Sequence, residues 1–531
     1  MRCYQDMGCV RFLLTILALL LGALPARAAE GAALERGAAV IEPFALRELD
    51  RGRFAVQRIM FPEMSNAIPL SSAGLLASPS MAMVRDALDS ELDRYIARHK
   101  AALPDETIGV GPGFDFQLFD RAALYSNDAR FVLAGIVNRM DRAFVSPESC
   151  GEVRLIYRLT RTAPAPAPAG EEASPRLPMT LNIVLKARGG VMIDARGGGI
   201  GCAEIARRWL AAGELALTGA ALAERLVAKD GALDLIRSEN IDRIETNLQI
   251  AHAPKSPVRD FRTDYLLKVF RLDHATGVYE EAPMENQIDR ERLLADKDLA
   301  RDFKEWLLDP RHLNEFDRGT VLIPERFLAK GAIAATPVGF EASELQPEFG
   351  LVQGEGAAAN PVFSESDIVT ALRKAADIGV TPANIRSVAG FARRLNDVTC
   401  AGCHQTRGIG GFHFPGVDWM AEKPSNETVV AASPHFFGDQ IRRRDILNSV
   451  KWGSAPDYSR GFSDRPQLRT RSEFLGELVG TGYYDGWGAH CYQQGAKAAD
   501  NDPSFRAWTC AKGLVCEAAG KTSRIGMCFI K

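Results

Sequence analysis

Residues 152–159 read Glu-Val-Arg-Leu-Ile-Tyr-Arg-Leu, a run in which polar and apolar side chains largely alternate. Successive side chains of a β-strand point to opposite faces, so this alternation predicts a strand with one buried face. Residues 130–137 and 179–185 are also rich in Val, Ile and Leu, which favour strands. We expect these three segments to be neighbours in one sheet, with the Ala-Pro repeat of residues 163–168 as a long hairpin connection.

Helical patterns lie on both sides of these strands. Apolar residues recur at helical spacing in several stretches, namely residues 81–100, 203–212, 221–250 and 299–308. Residues 264–272 read as a further strand. Beyond residue 341 the pattern becomes mainly helical: Ser364 and Asp367 form a capping-box pair, and Thr381 followed by Pro382 predicts the start of a second helix.

The predicted fold class is α+β. We expect a mixed N-terminal region that contains the sheet, a mainly helical region, and a small disulfide-rich C-terminal module. The corresponding boundaries are a signal peptide at 1–28, an α+β domain at 29–340, the helical region at 341–484 and the Cys-rich module at 485–531.

The N-terminus has the pattern of a secretory signal peptide. Arg2 and Arg11 precede an apolar run at residues 12–24, and Ala26 and Ala28 supply the small residues of a cleavage site. The apolar run is too short for a transmembrane helix, and no later stretch is a better candidate. We therefore expect cleavage near Ala28 and a periplasmic or secreted protein without a transmembrane segment.

The cysteines agree with export, because disulfides persist in oxidising compartments. Outside the signal peptide and the motif described below, six cysteines remain, an even number that predicts three disulfides. Cys150 with Cys202 is the favoured pair. The other four fall in the last 41 residues, and their spacing leaves three pairings open: Cys491, Cys510, Cys516 and Cys528.

Composition and motifs give no support to several classes of partner and chemistry. The chain is 46% hydrophobic and 25% charged, as in ordinary folded proteins, and its formal charge of -3 gives no reason to expect nucleic acid or an anionic membrane as partner. It has no Gly-x-Ser-x-Gly elbow, no His-Glu-x-x-His zinc helix and no EF-hand loop. A small Cys-rich module at the C-terminus suggests a binding partner outside the cell.

The segment with the clearest chemistry is Cys-Ala-Gly-Cys-His at residues 400–404. This is the Cys-x-x-Cys-His pattern to which c-type haem is attached. Two thiols at this spacing can add to the two vinyl groups of a porphyrin, and the histidine that follows can ligate the iron. Such haems are attached on the outer side of the bacterial cytoplasmic membrane, so the predicted signal peptide agrees with this interpretation.

Residues 400–404 resemble the haem-binding segment of c-type cytochromes, and residues 399–414 resemble a segment of large exported bacterial proteins with a single Cys-x-x-Cys-His. The resemblance implies one covalent haem c, with thioether bonds to Cys400 and Cys403 and His404 as the proximal iron ligand. The chain departs from a small cytochrome c, which commonly supplies a distal Met several dozen residues later. Met420 is only 16 residues beyond His404.

Three residues after the motif are candidate distal ligands, namely His413, Met420 and His435, and five-coordinate iron is equally compatible with the sequence. Arg407 and the run Arg442–Arg444 are candidates to pair with haem propionates. The expected function is electron transfer or redox or ligand sensing, with an unidentified redox partner. An enzyme of this type would be a haem-dependent oxidoreductase or peroxidase.

Three alternatives do not involve haem. Cys400 and Cys403 can form a disulfide staple in an exported binding or structural protein. Zinc can bind the two cysteines with His404 and His413, although the adjacent Cys403 and His404 rarely share one tetrahedron. The cysteines can also act as catalytic thiols, but that chemistry usually has the pair at the start of a helix, whereas here the predicted helix precedes it.

Overall fold

The structure is a computed structural model in which a nine-stranded sheet is flanked by helices. The predicted signal peptide and the Ala-Pro repeat lie outside the described residues. The described residues are 38–63, 68–108, 121–162, 176–187, 200–254, 262–334, 350–354, 360–401, 434–462, 485–486, 489–518 and 524–530.

The main sheet is antiparallel throughout, and its strands follow the order β1-β3-β4-β5-β6-β7-β8, with β2 paired to β6 and β9 paired to β7. The three strands predicted as neighbours are β3, β4 and β5, and they are adjacent. The strands are β1 Ala39–Val40, β2 Glu106–Ile108, β3 Ala129–Arg139, β4 Glu152–Arg161, β5 Arg176–Lys186, β6 Ile241–Pro254, β7 Arg262–Asp273, β8 Val278–Glu281 and β9 Gly331–Ala334.

Most of the helices predicted from the spacing of apolar residues are present. They are α1 Pro43–Arg51, α2 Val56–Met60, α3 Ser72–Leu76, α4 Ala82–Ala102, α5 Arg121–Leu124, α6 Cys202–Gly213, α7 Gly219–Val227, α8 Arg290–Ala295, α9 Lys297–Leu307, α10 Pro310–Arg318, α11 Glu365–Asp377, α12 Val388–Val398 and α13 Pro434–Lys451. The predicted fold class, α+β, is confirmed.

One face of the sheet carries the main hydrophobic core. On β4, Val153, Leu155 and Tyr157 point to this face, as the alternation predicts, and all three are buried. Helices α4 and α6 pack over it, for example through Leu88 and Trp209. The apolar half of the alternating pattern therefore decides which face of the sheet the helices cover.

The opposite face, called here the second face, is polar and nevertheless buried. Cross-strand pairs on it place Arg158 opposite Thr180, and Thr180 opposite Asn247. Polar side chains on this face would be solvated in an open sheet, but here they are covered by other parts of the chain. The buried polar members on β4, β5 and β6 are Glu152, Arg154, Arg158, Thr180, Asn182, Glu245 and Asn247.

One sequence prediction about the sheet is wrong. Residues 221–250 were expected to be helical, but α7 ends at Val227 and β6 begins at Ile241. Ile244 and Leu248 are four residues apart, which suits a helix, yet Arg243 and Glu245 alternate with the apolar residues as in a strand. The segment forms a strand because both of its faces find partners. Its apolar side chains pack in the core, and its charged side chains form ion pairs on the second face.

A second hydrophobic core lies among α8 to α12. It joins Phe303 and Phe316 from the first part of this region to Phe363, Phe391 and Leu395 from the later part. The core begins at Ile288 and so contains residues from both sides of residue 340, where the sequence suggests a domain boundary.

The predicted helix start at Thr381 is also wrong, since α12 begins at Val388. The preceding segment is held in another conformation by the buried carboxylate of Asp317, which accepts hydrogen bonds from the backbone N–H groups of Ala383, Asn384 and Ile385 at 2.7–2.8 Å. These amides are therefore satisfied without a helix. Ser387 instead caps α12, accepting a hydrogen bond from Gly390 N–H.

The described residues form three disulfides, Cys150–Cys202 as predicted, Cys491–Cys516 and Cys510–Cys528. The last two lie in a small module whose strands β10 His490–Tyr492, β11 Leu514–Ala518 and β12 Ile525–Ile530 form a three-stranded sheet. The module contacts the start of α12, where Ser387 Oγ donates a hydrogen bond to Asp502 at 2.8 Å. No helix in the described ranges combines the length and apolarity needed to cross a membrane.

Candidate functional site

The first cysteine of the motif is brought to the second face of the sheet by α12. Phe391 and Leu395 bury this helix in the second core, and Thr399 ends it by donating a side-chain hydrogen bond to Asn396 O at 2.7 Å. Cys400 and Ala401 follow directly. A cysteine at this point has a fixed position, because the helix before it is packed along its length.

Ala401 and Cys400 are attached to the sheet domain through the segment that follows β8. The backbone N–H of Ala401 donates a hydrogen bond to Gln287 Oε1 at 3.0 Å, and Cys400 Sγ lies 3.8 Å from the carbonyl oxygen of Glu285. Ala401 also packs in a small apolar cluster with Leu267 and Val269 of β7. The start of the motif therefore rests directly on the second face.

The segment that holds the motif is anchored by the side chain of Asn286. Asn286 has a positive φ of 58°, a conformation that Asn tolerates better than most residues. Its side chain donates a hydrogen bond to Val321 O and accepts one from Ile323 N–H, both at 2.9 Å. These two contacts fix the residues on either side, Glu285 and Gln287.

Cys400 lines a cavity of about 650 Å³. Its walls are the second face of the sheet, the segment around Glu285 and the end of α12. The volume falls in the range of about 300–1,000 Å³ typical of small-molecule and cofactor sites. Among the described lining residues, seven carry a positive charge and seven a negative charge, so the cavity is strongly polar without a net sign.

Glu152 lies at the centre of the ion pairs on the cavity wall. Its carboxylate contacts Arg154 and Arg243 at 3.0 Å and lies 3.4 Å from Arg142 Nε. Burial alone would raise the pKa of Glu152, but these three arginines hold it well below its usual range. Glu245 joins the same arginine pair from β6, with contacts of 2.9 Å to Arg154 and Arg243.

Arg142 connects this network to the motif. It is mostly buried and forms an ion pair with Glu285, the residue whose carbonyl oxygen faces Cys400 Sγ. The Glu285 side chain remains 41% exposed, so its carboxylate reaches the open space of the cavity. Burial of the surrounding site opposes ionisation of Glu285, but the charge of Arg142 lowers its pKa overall.

A second buried network lies beside the first. Asp141 accepts hydrogen bonds from Arg139 Nε at 2.8 Å and from Arg442 Nη2 at 2.7 Å, and Asp439 pairs with Arg442 and Arg443. Desolvation and the neighbouring charge of Arg139 lower the pKa of Arg443 to about 10. Arg442 and Arg443, which the sequence offers as partners for haem propionates, are held in these buried ion pairs and are not among the described residues that line the cavity at Cys400.

The second face also contains polar atoms for which the described part of the chain offers no partner. The side-chain oxygens of Asn182 and Asn247 are buried and accept no hydrogen bond from any described residue. An unsatisfied buried acceptor costs about 1–3 kcal/mol, and such atoms commonly mark an ordered water or a ligand. They lie on the same face as the Glu152 network.

The described residues fit a haem attached at Cys400 in three respects. The cavity has a suitable volume, it has apolar patches such as Val269, Pro283 and Ile323 for the porphyrin, and it has arginines for the propionates. The other predicted site residues, Cys403, His404, His413, Met420 and Arg407, lie outside the described residues. For His435 the structure describes only the backbone, within α13.

The sequence alone does not identify the residues that hold the start of the motif. Arg142, Glu285 and Gln287 are more than 100 residues away from Cys400 in the chain and belong to no local pattern. A weak signal was present in β4, where three charged residues share one face of a strand that is otherwise apolar.

Comparison with protein-family models, curated proteins and solved structures finds no match to this chain. Its function must therefore be argued from the chemistry of Cys400 and its surroundings.

Proposed function

We propose that this protein is an exported c-type haem protein that carries one haem through Cys400 and Cys403, with His404 as the proximal ligand. The observation that carries the proposal is the position of Cys400, which lies at a cavity of cofactor size on the buried polar face of the sheet. Haem would supply one-electron redox chemistry or the binding of a small ligand.

The chain supports this role by fixing the attachment point. Gln287 holds Ala401 and α12 holds Cys400, so the porphyrin edge has one defined starting position. The second face and the segment around Glu285 form walls of the cavity. In this proposal the N-terminal sheet forms one wall of the cofactor site.

Export accompanies the proposal. The N-terminal pattern predicts cleavage near Ala28, and the three disulfides are compatible with an oxidising compartment. We therefore place the protein in the periplasm or outside the cell, with electron transfer or redox or ligand sensing as its activity. His413 and Met420 are the proposed candidates for the distal ligand.

The test is a pyridine haemochrome spectrum of the protein expressed with the c-haem maturation machinery. We expect the band of a haem with two thioether bonds, and its loss in the Cys400→Ser variant. The matched control is the double variant Cys510→Ser and Cys528→Ser, which removes a disulfide of the C-terminal module whose cysteines do not line the described part of the cavity, and it should keep the band. Absence of any haem band in the unchanged protein would instead favour a Cys400–Cys403 staple.

A second spectrum tests the distal ligand. If His413 occupies that position, the His413→Ala variant should change from a ferric low-spin to a high-spin spectrum. If Met420 does, the same change should follow from Met420→Ala and not from His413→Ala.

A further inference from the structure

Two arginines on the cavity wall have donors that no described residue of the chain accepts. Arg139 binds both oxygens of Asp141 through Nε and Nη2, and Arg142 binds Glu285 through Nη2. In each arginine, Nη1 makes no hydrogen bond with the part of the chain that the structure describes. Neither Nη1 atom is fully buried. Both side chains line the cavity.

The two arginines are close neighbours. Arg139 ends β3 and lies opposite Glu152 of β4, and Arg142 ends the short turn Met140–Arg142, with its Nε 3.4 Å from Glu152. Both are mostly buried, where a hydrogen bond between charged groups is stronger than at the surface. Two guanidinium groups that line one cavity are suited to bind a carboxylate.

Charge supports an anionic ligand at this position. Arg139 shares Asp141 with Arg442, so the aspartate does not neutralise either arginine alone. Arg142 has Glu285 as its near partner, and that carboxylate is partly exposed on a segment next to the motif. An entering carboxylate can therefore take the unused donors of both arginines without breaking the buried pairs of Asp141 and Glu152.

We propose that Arg139 and Arg142 form a carboxylate-binding site and that its ligands are the propionates of the haem. This assignment rests on the proposed function, since it places the porphyrin in the cavity beside Cys400. The propionates leave the porphyrin edge opposite the two thioether positions, and the cavity extends from Cys400 to these two arginines. The site replaces the earlier expectation that Arg442 and Arg443 bind the propionates.

The test compares haemin with haemin dimethyl ester, in which both carboxylates are blocked. Each is titrated into the full mature chain carrying Cys400→Ser and Cys403→Ser, so that no thioether forms, and binding is followed by the Soret band. We expect haemin to bind at least about tenfold more tightly than the ester, as the loss of one charged hydrogen bond implies. Equal affinities would overturn the proposal without any mutation of the arginines.

Three substitutions in the same background locate the site. Arg142→Gln should weaken haemin binding by about tenfold and leave the ester unchanged. Glu285→Gln, which removes the competing carboxylate, should strengthen haemin binding. Arg271→Gln is the matched control, because Arg271 lines the same cavity but is 55% exposed and paired with Glu325, and it should have no effect.

Free carboxylates are the other source of the same chemistry. Succinate at millimolar concentration should give no binding heat with this variant chain, and clear binding would assign the arginines to a soluble carboxylate and overturn the haem assignment. The result is independent of thioether formation. Failure of the haemochrome test would reject covalent attachment, whereas equal binding of haemin and its ester would reject the propionate site.

Discussion

The backbone N–H of Ala401 donates a hydrogen bond of 3.0 Å to the side chain of Gln287, and both residues are buried. This contact joins the start of the Cys-x-x-Cys-His segment to the sheet domain, 114 residues earlier in the chain. It fixes the position of Cys400 relative to the cavity, and it gives the first prediction.

Replacing Gln287 by Ala should leave the Ala401 N–H buried without an acceptor. We expect the free energy of unfolding to fall by about 1–3 kcal/mol, measured by urea denaturation. The control is Gln353→Ala, because Gln353 also accepts a backbone hydrogen bond, from Glu365 N–H, but is exposed. Equal effects of the two substitutions would show that the buried contact has no special importance.

The Glu152 network predicts a dependence of stability on pH. The folded-state pKa of Glu152 is lowered by Arg243, Arg142 and Arg154, so its stabilisation is fully present above the unfolded pKa of about 4.3 and is lost as the pH falls below that value. We expect the unfolding free energy of the unchanged protein to decline below about pH 4.

Glu152→Gln should remove about 3–5 kcal/mol at neutral pH, since it takes one carboxylate charge out of a buried network of three arginines, and it should flatten the acid decline. The exposed pair of Glu325 with Arg271 provides the comparison, and Glu325→Gln should change stability by less than about 1 kcal/mol. An acid decline of the same steepness in Glu152→Gln would contradict this account.

Asp317 predicts the stability of the segment before α12. Its buried carboxylate accepts three backbone hydrogen bonds, and Asp317→Ala should cost about 3 kcal/mol or more in urea denaturation. Asp309 is a suitable control, since it caps α10 at an exposed position through one bond to Arg311 N–H, and Asp309→Ala should cost about 1 kcal/mol. A smaller loss for Asp317 than for Asp309 would be inconsistent with the structure.

These residues also show how far the sequence could be interpreted alone. The alternation in β4 predicted the strand and its apolar face, because a period of two has a single structural meaning over eight residues. The prediction of a helix at β6 is wrong because the charged residues of this strand lie in a buried network. Charged residues are usually exposed to solvent, so the sequence alone does not indicate that they are buried.

The candidate site could be predicted only in part, for a physical reason. Cys400 follows from a local motif, but Gln287 and Arg142 reach it through tertiary packing over more than 100 residues. Likewise the run at residues 442–444 is a candidate in the sequence to pair with haem propionates, whereas Asp141, 301 residues from Arg442, holds that arginine in a buried ion pair. A local sequence pattern does not show which distant residues its members will contact in the fold.

The disulfide Cys150–Cys202 is expected to contribute more to the free energy of unfolding than the single hydrogen bond of Gln287. It closes a separation of 52 residues and tethers α6 to the end of the sheet, so replacing both cysteines by Ser should lower the unfolding free energy by about 4 kcal/mol in the chain-entropy model. Replacing Cys510 and Cys528 instead should leave the unfolding of the sheet domain unchanged. An unchanged urea midpoint in the Cys150 and Cys202 double variant would contradict the expectation.

The central claim is that haem is bonded to Cys400, and the most direct measurement is the intact mass of the denatured protein after expression with the c-haem maturation machinery and extraction with acidified acetone. The account predicts a protein heavier by one haem, with the added mass located on the peptide that contains Cys400 and Cys403. A protein without added mass, in which these two cysteines form a disulfide, would contradict it.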